Sequence, residues 1–197
     1  MKIALGTCVL AGNLNPAILR PDWLVKNKVL PDGAWTSELG LGPAGVSMKF
    51  TMADLSWTAG LERLQVEATS EKADPGAFVA EILKHLSHTP VRAVGNNFQA
   101  DVSERKVLSQ AFRAEFLDQV AGGDTLVSTT VGLKVNHGDA IVNLNLTFNA
   151  SSDLQDVRLN FHRDVKDADA AIRAARNWSD DRNEALKLGA RIELIKW

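Results

Sequence analysis

Glu81, His85 and His88 stand at spacings of four and three. Such spacing gathers side chains on one side of a helix, and a carboxylate with two imidazoles is a donor set for a divalent metal. The same stretch carries Phe78, Val79, Ile82, Leu83 and Leu86 on another stripe. Glu81, His85 and His88, with Lys84 among them, therefore read as the solvated face of an amphipathic helix. A metal centre usually shows a further ligand at recognisable spacing, and only His137 and His162 remain elsewhere. No metal ligands are assigned.

Gly40-Leu41-Gly42-Pro43-Ala44-Gly45 satisfies the letter of the dinucleotide fingerprint. That motif needs a buried strand before the glycines and a helix after them, whose N-terminus holds the pyrophosphate. Here the alternating stretch Val46 to Met52 follows, a strand pattern. The glycines are expected to form a loop between strands, and no cofactor is implied. Cys8 lies in an apolar run, where a free cysteine behaves as a small core hydrophobe. Asp180 and Asp181 fall in a polar cluster expected to interrupt a helix, where capping accounts for them. With no G-x-S-x-G and no nucleophile beside a base, no catalytic residue is assigned.

The strongest signal is a polar row. Asn143, Asn145, Thr147 and Asn149 alternate with Val142, Leu144, Leu146 and Phe148, and Arg158, Asn160 and His162 alternate with Val157, Leu159 and Phe161. Asparagine is a poor strand former, so its repetition on one face suggests amides that meet a ligand or another subunit. Asn143, Asn145, Asn149, Arg158, Asn160 and His162 form the candidate interaction face. Ala140 to Ala150 carries only the charge-free residues that fail to protect an exposed edge, which adds homo-oligomerisation to the expectation. Val94-Gly95-Asn96-Asn97-Phe98 resembles a strand interrupted by a bulge.

The elements that must position this face follow from periodicity. Strands are expected over 3–10, 46–52, around Leu64 and Val66, over 91–100, and over 157–161. Val131 to Val135 and Val142 to Phe148 form a hairpin, with Gly138 supplying a positive φ. Asp74-Pro75 opens a helix that Pro90 ends, Asp101 and Glu104 open another reaching Gly122-Gly123, and Asp167 opens the last. Residues 11–45 hold four of the six prolines, and read as an irregular excursion. Ile18, Leu19, Trp23, Leu24, Val25, Val29 and Leu30 make it too apolar for a solvated linker, so it is expected to pack, with Trp23 or Trp35 largely buried.

These elements make an α+β class: antiparallel sheet packed with about three helices. Leu64, Val66 and Asp74 align with Val157, Leu159 and Asp167, which suggests strand-rich halves in a pseudo-twofold arrangement. At 197 residues one domain, 1–197, is expected. A net charge of −2 lacks the basic excess of nucleic-acid binders, and no apolar run reaches the length of a membrane helix. A single cysteine points to a reducing cytoplasm. The expected function is therefore that of a soluble, non-enzymatic binding or assembly protein, acting through the sheet face or the 11–45 segment on a protein partner or a second copy. The alternative is an enzyme for a small molecule, its site gathered from distant residues.

Overall fold

A computed structural model describes residues 2–42, 45–101, 128–149 and 154–194. Nine antiparallel strands make one sheet in the described chain: β1 (Lys2–Gly12), β2 (Thr36–Gly42), β3 (Gly45–Met52), β4 (Leu55–Ala59), β5 (Arg63–Ala68), β6 (Val91–Asp101), β7 (Ser128–His137), β8 (Ala140–Asn149) and β9 (Leu154–Asp164). Their order across the sheet is β2-β3-β4-β5-β1-β6-β9-β8-β7, so β1 and β6 are central and β2 and β7 are the edges. Three longer helices join it: α2 (Pro75–His85), α3 (Ala168–Arg176) and α4 (Trp178–Leu194). A short α1 (Pro21–Lys26) belongs to the early excursion. This is the expected α+β class. None of the described helices is long and apolar enough to cross a membrane.

Local sequence accounts for the helix starts. Asp74 caps α2 by accepting from the Ala77 N–H at 2.8 Å, and Asp167 caps α3 by accepting from the Ala170 N–H at 2.7 Å. Each leaves an extended backbone just before the first turn. The expected helix that begins at Asp101 and Glu104 falls within 102–127, outside the described residues.

Alternation then sends one side of each strand into the core. Cys8, Leu10, Trp57, Leu64, Val66, Phe98, Leu159 and Phe161 are buried together with Phe78, Val79 and Ile82 of α2 and Trp178 of α4. The excursion completes this layer. Leu14, Leu19, Leu24 and Leu30 are buried, and the Trp57 indole donates to the Leu19 carbonyl at 2.9 Å. The tryptophan expectation is corrected: Trp23 is half-buried with its ring edge-on to His85, and Trp35 remains 42% exposed. Leucines fill the space because the excursion turns its aliphatic residues inward. Its end is also more regular than expected, since Thr36–Gly42 pairs along β3.

Two further corrections concern polar residues. β6 keeps unbroken register through Gly95, Asn96 and Asn97 with both neighbours, so no bulge occurs there; the β1 irregularities lie instead at Ile3/Leu5 and Ala11/Gly12. The Ser179-Asp180-Asp181 cluster does not break the last helix. The break comes at Asn177, the C-cap of α3, and α4 starts with Trp178.

Candidate functional site

The helices cover one face of the sheet, and the alternate residues of each strand form the other. Strand register aligns a single transverse row across it: Lys134 on β7, Asn143 on β8, Asn160 on β9, Asn97 on β6, Thr7 on β1, Glu67 on β5, Ser56 on β4, Thr51 on β3 and Thr36 on β2. Every member is polar. Adjacent members stand one strand spacing apart, about 4.8 Å.

The amides in this row bond head to tail. Asn143 Nδ2 donates to Asn160 Oδ1 at 3.2 Å, Asn160 Nδ2 to Asn97 Oδ1 at 2.5 Å, and Asn97 Nδ2 to Thr7 Oγ1 at 3.2 Å. On the other half the row continues with hydroxyls, Thr51 Oγ1 donating to Ser56 Oγ at 3.4 Å. A carboxamide has two N–H donors and two acceptor sites, so a ladder that uses one of each leaves further capacity for a ligand.

Two glycines make room for amides on this face, Gly95 beside a rung of the ladder and Gly132 beside Asn145. A Cβ at Gly95 would lie 3.0 Å from Asn160 Nδ2, and one at Gly132 would lie 3.2 Å from Asn145 Oδ1. Gly95 is therefore explained by side-chain space, in place of the expected bulge. Above the central strands lies a depression of about 440 Å³, lined by Thr7, Gln65, Glu67, Gln99, Asn145 and Asn160. Arg63 on β5 and Arg158 on β9 also line it, the former bonded to Gln65 at 2.7 Å and the latter paired with Asp156 at 2.5 Å.

Of the residues singled out from sequence, Asn143 and Asn160 are rungs of the ladder, and Asn145 and Arg158 border the depression. His162 lies further along β9, 3.2 Å from Asp164. Asn149 ends β8, past the register shift at Thr147 and Phe148 and away from the depression. Thr7, Glu67 and Gln99 were missed, and Asn97 reads from sequence as part of a bulge. Single polar residues in an alternating strand look like ordinary solvent positions, and only pairing between distant strands assembles them into a row.

The other polar cluster is buried beneath the helices. Arg163 and Asp181 are 6% and 4% exposed, and the guanidinium grips both carboxylate oxygens, at 2.6 and 2.8 Å. Arg163 Nε donates to Asp139 at 2.8 Å. Asn96, fully buried, donates to Asp181 Oδ2 at 2.7 Å and to the Ala174 carbonyl at 3.3 Å. Burial by itself lowers the affinity of Arg163 for its proton, but the bonds and charges of Asp181 and Asp139 outweigh it and raise the pKa above its ordinary value. All three nitrogens of the guanidinium are thus committed within the protein, which makes this a tie between β9, α4 and the β7–β8 turn. Asp181 is the correction to a capping role.

The remaining candidates do not converge. Glu81 pairs with Lys84, and His85 meets Trp23 at 6.1 Å between ring centroids. Among the described residues no group of three or more His, Cys, Asp or Glu is placed to hold a metal ion. Gly40 and Gly42 lie in β2 and Gly45 in β3, so the glycine-rich run joins paired strands. Cys8 is fully buried, and burial is the main cause that pushes its thiol up, away from the reactive thiolate, with Asp74 and Asp181 adding to it. The sequence matches no family model and no curated protein.

Proposed function

We propose that the protein is a non-enzymatic binding or assembly protein and that the open face of its sheet is the surface it uses. The observation that carries this reading is the hydrogen-bonded ladder Asn143, Asn160, Asn97, Thr7 lying across four strands, with Gly95 clearing space beside it. Asparagine disfavours strands, so concentrating it in the middle of a sheet costs stability that an ordinary wet face does not require. The partner is a protein surface, another chain or a second copy. Nucleic acid and membrane fit less well, because Arg63 and Arg158 share the face with Glu67 and Asp156 and leave no basic field.

One domain with two related halves is part of the same proposal. A continuous sheet spans both halves, which supports one domain. The register supports the relation. Cys8 pairs with Val66 as Phe98 pairs with Leu159, and an exchange of halves turns the pair Cys8 and Asn96 into Phe98 and Gly6, also a pair, while Thr7 and Asn97 exchange with each other. The pseudo-axis of this arrangement passes through the middle of the polar row.

Affinity capture from the host's lysate tests the face. Wild type, Asn145→Lys on the open face and Lys84→Glu on the outer side of α2 are compared. A desolvated, unmatched charge at an interface costs about 2–5 kcal/mol, so Asn145→Lys is expected to lose the partner at least tenfold while Lys84→Glu retains it. Equal recovery by wild type and Asn145→Lys removes the open face as the working surface.

A further inference from the structure

We infer that the occupant of the open face is a second copy of this chain, seated face to face about a twofold axis that runs nearly along the central strands, above Thr7 and Asn97. This rests on the reading of the open face as the binding surface and adds its occupant and orientation. The argument starts from the unlike halves of the row. From β1 outward to β2 it presents Thr7, Glu67, Thr51 and Thr36, which are hydroxyls and a carboxylate, with Ser56 buried between Glu67 and Thr51. From β6 outward to β7 it presents Asn97, Asn160, Asn143 and Lys134, which are amides and an ammonium.

A twofold axis along the strands lays each half on the other. Glu67 then stands over Asn160 of the second copy, and Thr51 over its Lys134. Each contact joins a carboxylate or hydroxyl oxygen to an N–H donor, and each occurs twice, as an isologous interface requires. Both rows advance by the same strand spacing, about 4.8 Å, so the facing rungs stay in step. An axis in the same plane but across the strands does the opposite. It sets Glu67 over Glu67 and Lys134 over Lys134, like charges that disfavour association.

The available area agrees. Eight of the nine strands overlap, so seven strand spacings give a shared face about 34 Å wide, and three rows of outward residues give about 20 Å of height, hence roughly 650–700 Å² per copy. A standard specific interface buries about 800 Å² per partner.

The test is sedimentation velocity of the purified full chain over a wide concentration range, with circular dichroism to verify folding of each variant. Thr51 is half-buried at its rim position and Lys134 is exposed, so changes there leave the core intact. The inference expects a dimer in wild type. Thr51→Lys, which faces Lys134 of the second copy, weakens it about tenfold or more; Thr51→Asp tightens it; and Thr51→Lys combined with Lys134→Asp restores it. A wild type that stays monomeric, a dimer indifferent to Thr51→Lys, or equal weakening by Thr51→Lys and Thr51→Asp each overturns the inference. None of these outcomes touches the wider reading, which the Asn145→Lys capture experiment decides by itself.

Discussion

The β1–β5 half ends in a four-strand meander, β2 to β5, and the β6–β9 half in a three-strand one, β7 to β9, each followed by a capped helix, yet they fill the layer under the helices differently. In the first half the layer is aromatic. Phe50, Trp57 and Phe78 follow one another at 5.5 and 5.4 Å between ring centroids, and the single indole N–H finds the Leu19 carbonyl. In the second half Phe98, Phe161 and Trp178 share the layer with Asn96, Arg163 and Asp181. Apolar packing degrades by increments as atoms are removed, because each contact is weak and non-directional. A buried ion pair fails abruptly, because losing one member strands the other charge in a low-dielectric interior. The first half is held by many exchangeable contacts, and the second adds one directional tie to its apolar packing.

The largest effects should expose this difference through rescue. Arg163→Met leaves Asp181 buried without its cation and is expected to cost about 3–5 kcal/mol in urea unfolding. Adding Asp181→Leu should recover most of that loss, since a buried pair replaced by apolar side chains is often neutral. Trp57→Ala should cost a similar 3–5 kcal/mol through cavity formation, and no single second substitution at a neighbour recovers it. Failure of Asp181→Leu to rescue Arg163→Met would mean that the tie to Asp139 and the turn matters more than the pair.

Cys8 lies where the halves meet, its backbone paired with Val66 on one side and Asn96 on the other. Its thiol is held above the ordinary value of 9.0, first by burial and then by the carboxylates of Asp74 and Asp181, with Arg163 opposing. The raised value means that the folded state keeps a proton which the unfolded state releases. This contribution is complete below about pH 8.5 and is lost as pH rises further, by up to about 1.4 kcal/mol per pH unit. Chemical unfolding of wild type and Cys8→Ala between pH 8 and pH 10 reads the difference; a wild-type decline no steeper than that of Cys8→Ala would show that the thiol is not coupled to folding. The folded protein should also resist alkylation at Cys8.

The smallest effect should be common to the halves. Asp74→Ala and Asp167→Ala each remove one cap bond of similar length and are expected to cost about 1 kcal/mol apiece, read as a fall in thermal midpoint. A markedly larger loss at Asp167 would show that α3 depends on its cap while α2 is held by its own apolar stripe.

Periodicity, caps and turn residues are local, so they determined much of this protein from sequence. Asp74-Pro75 and Asp167 mark the starts of α2 and α3, Gly138 takes a φ of 57° at the β7–β8 turn, and the alternation from Val142 to Phe148 and from Val157 to Phe161 separates buried from open residues. The amides of β8 and the polar residues of β9 were thereby assigned to one face. Two strands were hidden. β2 lies in a stretch rich in Pro and Gly, and β4 is only five residues long, so neither accumulates a periodic signal.

Tertiary structure decided what depends on residues far apart in the chain. Asn96 and Asn97 are adjacent and of one type, yet alternation sends the first to Asp181 under the helices and the second into the row with Thr7 and Asn160. Gly95 reads as a flaw in a strand until the Asn160 amide is placed beside it. Arg163 and Asp181 look like solvated charges until β9 and α4 bring them together, out of water. Local patterns report the free energy of single elements, whereas pairing among β5, β1, β6, β9 and β8 sets which polar groups share a face, and that pairing is chosen by the burial of the whole core.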